Sequence, residues 1–238
     1  MIQWIIENQR YNKTFLAQPG GANAMKRAGT AHWCNATHLV ISDNQHPRNG
    51  TFLRASDLNL PFEGEALSDS DPYVIVDDQS GEFGVHTQTE EAALFVDKTV
   101  SLASGEVRVK SSLQRLKEEA FKYSLAFYSK QCEIPVEQIA ELAKRFTSYG
   151  TKAVVDTHGG NMHTNGFYNS FTIMMLNALI GNINMKGGAM AKAGGYPTSA
   201  AGPRYDFTKF AGKVGPKGVF LSRSKFPLPQ NQRIQASR

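Results

Sequence analysis

From residue 157 to 166 the chain reads THGGNMHTNG. Two adjacent glycines, Gly159 and Gly160, let a ligand approach the backbone with no Cβ in the way. Asn161, His163, Thr164 and Asn165 surround them with directional hydrogen-bonding groups, and Gly166 can shape the turn into the next element. These residue types suit binding: backbone N–H groups for a phosphate or another anion, amide and imidazole groups for a polar ring. The spacing is neither a Gly-Lys-Ser/Thr phosphate loop nor a G-x-G-x-x-G fingerprint. A plain connecting turn is the competing reading. His158 and His163 then become surface or capping residues, and neither has an acid partner at metal-ligand spacing.

The flanking elements decide where such a loop would sit. Before it, KAVVD (152–156) has the continuous apolar centre of a buried parallel strand. After it, FYNSFTIMMLNALIG (167–181) predicts a helix closed by Gly181. Its expected core face is Phe167, Phe171, Met174, Met175, Ala178 and Leu179. Upstream, PVEQIAELAKRFTSYG (135–150) predicts a helix with Pro135 in its first turn, a stripe of Ile139, Leu142, Ala143 and Phe146, and Gly150 as its stop. Helix, strand, glycine loop, helix is the order of an α/β unit around a parallel sheet. In such sheets ligands bind beyond the carboxyl ends of the strands, where this loop falls. KGGAMAKAGG (186–195) is either a second ligand loop, with Lys186 and Lys192 meeting anions, or a flexible linker.

The rest of the chain reads differently. An amphipathic helix begins at once, with Ile2, Ile5 and Ile6 opposite Glu7 and Arg10. Because it starts without a cap, Met1 is expected to be an internal methionine of something longer. A strand is predicted over 37–42 and a surface excursion over 56–72. Two β-hairpins come next, 73–77 with 82–87 and 95–102 with 106–110, turning at Gly81 and Gly105. A helix over 111–130 begins at Ser111, with Gln114 at capping-box spacing and Leu113, Leu116, Ala120, Tyr123 and Phe127 along one face. The expected fold is therefore α/β: a partial doubly wound, Rossmann-like parallel sheet unit with a β-hairpin-rich insertion. Its segments are 1–55, the end of one α/β half; 56–110, the insertion; 111–195, the ligand-binding α/β segment; and 196–238, rich in Gly and Pro, with a tail from 226 expected to be disordered.

The chain's 238 residues, 41% hydrophobic and 20% charged, are ordinary for a globular protein. A net charge of +5 is spread without Lys/Arg runs or interleaved aromatics, which argues against a nucleic-acid partner. Cys34 and Cys132 form no CxxC pair and cannot build a zinc or iron–sulfur site alone. The longest apolar stretch, from Phe171, falls short of the roughly 20 residues a membrane span needs. No signal peptide is visible at the N-terminus.

The stretch THGGNMHTNGFYNSFTIMMLNALIGNINMKGGAMAKAGGYP resembles the molybdopterin oxidoreductases, enzymes that bind a molybdenum bis-(molybdopterin guanine dinucleotide) cofactor. That family has a G-x-N-Q-H-x-x-G loop after a strand. Here Gly159, Asn161, His163 and Gly166 match it, with Met162 where many members have Gln. Asn177, Leu179, Gly181, Asn182, Gly187 and Gly188 match the family's pattern at the end of the next helix. CEIPVEQIAELAKRF and WIIENQRYNKTFL resemble the helices that lead into that strand and that follow the family's first nucleotide-binding half.

The resemblance implies a central piece of a longer catalytic subunit. It assigns Gly159, Gly160, Asn161, His163, Thr164 and Asn165 to cofactor contact, with Gly166 shaping the turn; at Met162 any contact must be apolar or made by the backbone. It implies reduction of a small anionic sulfur oxyanion at molybdenum, with Lys186, Lys192 and Arg204 attracting the dianion. A 4Fe-4S motif and a protein ligand to molybdenum are expected in the parent only, since Cys34 and Cys132 sit in the wrong context for either. An iron–sulfur electron-transfer subunit, a membrane anchor subunit and a periplasmic location after twin-arginine export are likewise implied by the family. The alternatives are a non-catalytic nucleotide-binding module and an inactive truncated remnant. No catalytic residue is expected in this chain.

Overall fold

In a computed structural model of the protein, the described residues are 1–21, 24–29, 32–62, 71–157 and 166–189. All lie in one unit, Met1–Ala191. Its first helix is shorter than the pattern predicts. α1 (Ile2–Glu7) ends where Gln9 takes a positive φ of 52°, and α2 (Lys13–Leu16) starts after the Asn12 side chain caps the N–H of Phe15. α3 is Ala24–Ala28.

The β region is antiparallel throughout the described residues. β1 (Leu39–Ile41), β5 (Gly105–Ser111) and β4 (Asp97–Leu102) form a sheet in the order β1-β5-β4, with Leu39 opposite Ser111. β2 (Val74–Val76) and β3 (Phe83–Val85) form a separate hairpin. Both hairpins stand where the turn glycines put them, and Gly81 and Gly105 take φ values of 72° and 116°. Between β1 and β2 the chain makes a 3-10 turn, Ala55–Leu58. Alternate strand residues Leu39, Ile41, Val74, Val76, Val100, Val107 and Val109 build one core.

Ser111 joins sheet to helix. It is fully buried and ends β5; its hydroxyl donates to the Leu94 carbonyl and accepts from the N–H of Gln114, capping α4 (Ser112–Ala120). The Gln114 side chain donates to Glu118. The predicted 111–130 helix is two helices. Ser124 caps a new one, α5 (Leu125–Cys132), by accepting from Phe127 N–H, so Tyr123 and Phe127 leave the Leu113 face and are exposed. α6 (Val136–Phe146) runs into a 3-10 segment, Thr147–Lys152, and α7 (Gly166–Ile180) lies beyond the loop. Ile5, Phe15, Leu16, Leu113, Phe146, Leu176, Leu179 and Ile180 form the second core.

The chain is thus a mixed α/β protein. The expected parallel sheet is not seen among the described residues, where both sheets are antiparallel and residues 153–157 pair with no strand. Val155 and the Ala153 carbonyl bond to side chains instead. α7 buries only part of the expected face: Leu179 is in the core, but Phe167, Phe171 and Met174 are exposed, and Leu176 and Ile180 enter the core instead.

A polar patch lies beside the β region. His38 is buried; its Nε2 pairs with the Pro19 carbonyl at 2.8 Å and its ring stacks on Tyr73 at 4.8 Å. His86 accepts from Tyr73 N–H, and Arg54 lies over the Tyr73 ring. Burial lowers the His38 pKa to about 4, against the bond to Pro19; His86 and Arg54 lower it further. Folded His38 stays neutral while unfolded His38 takes a proton below about 6.5. Its contribution to stability is therefore full above pH 6.5 and falls as pH drops toward 4. Thermal unfolding should show roughly 1–2 kcal/mol lost between pH 6.5 and 5, and His38→Gln should flatten that slope. An unchanged slope in the variant would assign the pH dependence elsewhere.

Candidate cofactor-binding corner

The corner consists of the extended run Ala153–Thr157, the loop, and the start of α7. Its described part is held by two fully buried asparagines. Asn177 accepts from Val155 N–H at 3.1 Å through Oδ1 and donates to the Val155 carbonyl at 2.7 Å through Nδ2. One side-chain amide thus does what a neighbouring strand residue would do for Val155. Asn182 donates to the Ala153 carbonyl and, at 2.8 Å, to Asn177 Oδ1. Together they fix the strand's exit and so the position from which the loop departs.

Two glycines let this packing close. Gly181 has φ of 65°, and a Cβ there would lie 2.9 Å from the Phe15 ring. α2 sits against this turn, with Asn12 N–H donating to the Leu179 carbonyl at 2.7 Å. At Gly188 a Cβ would lie 2.1 Å from the Asn182 carbonyl oxygen and 2.9 Å from that of Thr151. The turn between them is bonded through Met185 N–H to Asn182 O and Gly188 N–H to Met185 O. From the other side, Arg10 donates to Thr147 and Ser148, tying the end of α1 to the segment entering the corner.

Of the predicted site residues, Gly166 is buried and begins α7. Gly159, Gly160, Asn161, His163, Thr164 and Asn165 lie outside the described residues, as do Met162 and His158. Lys186 is exposed on the 182–189 turn; Lys192 and Arg204 lie outside the described residues. Sequence reasoning treats Asn177 only as a family match, and misses its role in holding Val155. The signal is its place: an amide in the middle of FTIMMLNALIG has to find buried partners. Cys34 is half-buried, and burial pushes its thiol up to about 11; Cys132 is exposed.

The described end of the corner fits an anionic ligand in two respects. α7 is 15 residues long and its first turn carries no carboxylate that would neutralise the positive end of its dipole. The residues leading into it, 158–165, carry no carboxylate by type.

Fold and corner together define a mixed α/β protein whose glycine-rich loop enters a long helix, and comparison with known proteins supplies the family. The chain is homologous to a stretch of the A subunits of molybdopterin oxidoreductases. It is 49% identical over 226 residues to the A subunit of tetrathionate reductase from Salmonella typhimurium, covering 94% of this chain and 21% of that protein. The A subunit of selenate reductase from Mesobacillus selenatarsenatis is 36% identical over 203 residues, 82% of this chain and 18% of that one. The A subunit of tetrathionate reductase from Archaeoglobus fulgidus is 34% identical over 194 residues, 81% and 16%. The chain therefore spans about one fifth of the length of the curated relatives it matches. No protein-family model matches it.

Proposed function

We propose that this chain forms part of the cleft for a molybdenum bis-(molybdopterin guanine dinucleotide) cofactor in a longer catalytic subunit. The parent reaction in this reading is the two-electron reduction of tetrathionate to two thiosulfates, in anaerobic respiration. The observation that carries it is the 49% identity to a tetrathionate reductase A subunit over 94% of the chain, with the glycine loop inside the match. When bound, the molybdenum centre supplies the electron transfer to sulfur. This chain's part is to bind and orient. Gly159 and Gly160 leave backbone N–H groups open to a phosphate, Asn161, His163, Thr164 and Asn165 offer hydrogen bonds to polar ring edges, and Gly166 turns the chain into α7. Asn177 and Asn182 hold Ala153 and Val155 just before that segment and so fix where it begins.

The reading extends to the subunit's surroundings: a 4Fe-4S centre elsewhere in the same polypeptide, an iron–sulfur electron-transfer subunit, a membrane anchor subunit, and a periplasmic location after twin-arginine export. It also keeps the Rossmann-like sheet, completed by strands from outside residues 1–238.

The test is cofactor content of the Salmonella subunit carrying this chain in place of its matched stretch. Molybdenum and released guanine nucleotide should be near stoichiometric with Asn161 and His163 intact, and should fall at least about tenfold in the Asn161→Ala, His163→Ala double variant. Full loading of that variant would remove the loop from the cofactor site. Guanine-nucleotide binding without molybdenum would favour the non-catalytic module.

A further inference from the structure

Three buried polar residues flank one hydrogen bond where the turn after α2 meets the start of β1. Gln18 is 1% exposed, Thr37 0% and His38 1%. His38 Nε2 pairs with the carbonyl of Pro19, the residue after Gln18, at 2.8 Å. A carbonyl only accepts, so Nε2 carries the proton and Nδ1 presents a lone pair. Among the described residues, His38 Nδ1, both amide atoms of Gln18 and the hydroxyl of Thr37 are buried and bonded to no protein group.

The turn is fastened and cannot swing these groups out to solvent. The Ala17 carbonyl accepts from Ala92 N–H at 2.9 Å, and Gln18 N–H donates to the Phe15 carbonyl at 3.2 Å. A Cβ on Gly20 would lie 2.5 Å from the carbonyl oxygen of His86, the residue after β3, so that residue presses on the turn. Rings of Phe52, Tyr73 and His86 surround His38, and none of them donates to Nδ1. Polar groups buried in a fixed frame require partners. A cation is the wrong occupant, because Arg54 already acts on His38 with positive charge. The lone pair of Nδ1 and the carbonyl oxygen of Gln18 turn away an anion. What remains is a small neutral molecule that both donates and accepts.

We infer that this junction is a site for ordered internal water, which donates to His38 Nδ1 and bonds the amide of Gln18 and the hydroxyl of Thr37. A buried water makes about three hydrogen bonds, so four open groups take one or two molecules. The water ties the turn at Gln18–Gly21 to the start of β1, a join made otherwise by the single bond between His38 and Pro19. The inference rests on these groups alone and is independent of the cofactor reading.

Water-to-protein NOE measurements on the isotope-labelled 238-residue chain test it. The side-chain amide protons of Gln18 should show contacts to water with the sign of a long-lived internal molecule, not that of surface hydration. The double variant Gln18→Met, Thr37→Val keeps the side-chain shapes closely and leaves His38 Nδ1 as the one open group. It should lose roughly one or two of the long-lived waters counted by oxygen-17 relaxation dispersion. Should the chain alone not stay in solution, a high-resolution map of the Salmonella subunit carrying it gives the same reading: a water oxygen within about 3.2 Å of His38 Nδ1 and of the Gln18 amide. Three results overturn the inference: no such water contact at Gln18, an unchanged water count in the folded double variant, or a protein group in place of water beside Nδ1.

Discussion

Asn177→Leu should cost the isolated chain roughly 3 kcal/mol or more and release the strand that carries the loop. Leucine matches the apolar neighbours of α7 and has the same branching as asparagine. What it removes is the only partner of Val155 N–H and C=O among the described residues, and the acceptor for Asn182. Each buried group left unpaired costs about 1–3 kcal/mol. Asn177→Asp should be worse, since it keeps the acceptor for Val155 N–H but cannot donate to the carbonyl, and it buries a charge. Urea unfolding measures both. A cost below about 1 kcal/mol for leucine would mean that the strand is held by other contacts.

The second large effect belongs to Gly188→Ala. The added methyl would lie 2.1 Å from one backbone carbonyl oxygen and 2.9 Å from another. Neither is the end of a flexible side chain, so the 182–189 turn must shift, pulling Asn182 off the Ala153 carbonyl. A loss of roughly 2–3 kcal/mol is expected, the range for forced overpacking. Its neighbour is the control. Gly187 has φ of 83°, and a Cβ there meets nothing nearer than 3.6 Å. Gly187→Ala should therefore cost only the backbone strain, about 1 kcal/mol. Equal losses at both positions would mean that strain, and not contact with Asn182 and Thr151, sets the need for glycine.

These two residues mark what can be read along the chain and what cannot. The hairpins are legible because their causes are local: alternating apolar residues and a glycine with positive φ at each turn. The Ser111 cap is legible for the same reason. The break before α5 is hidden, because the apolar spacing runs on through 121–124 while Ser124 captures the Phe127 N–H and starts a new helix. The pairing of β1 with β5 links residues some 70 positions apart and has no local sign. α7 shows the limit most clearly. A helix apolar on every side gives no hint of which side is inward; that is decided by Asn177, which must turn toward the unpaired backbone of Val155. The expected parallel sheet is not seen here for a related reason. The strand is extended and apolar as its residues suggest, but no strand among the described residues meets it. Of the candidate site, the frame around the loop can be checked residue by residue, while only Gly166 of the assigned contacts falls within it.

The central claim is that the loop between Thr157 and Gly166 presents its backbone to a phosphorylated pterin. An electron cryo-microscopy map of the cofactor-loaded Salmonella subunit carrying this chain tests it directly. The account expects cofactor phosphate or pterin density within about 3.2 Å of backbone nitrogens between Gly159 and Asn165. A map with those amides paired inside the protein, and the cofactor bound elsewhere, would contradict it.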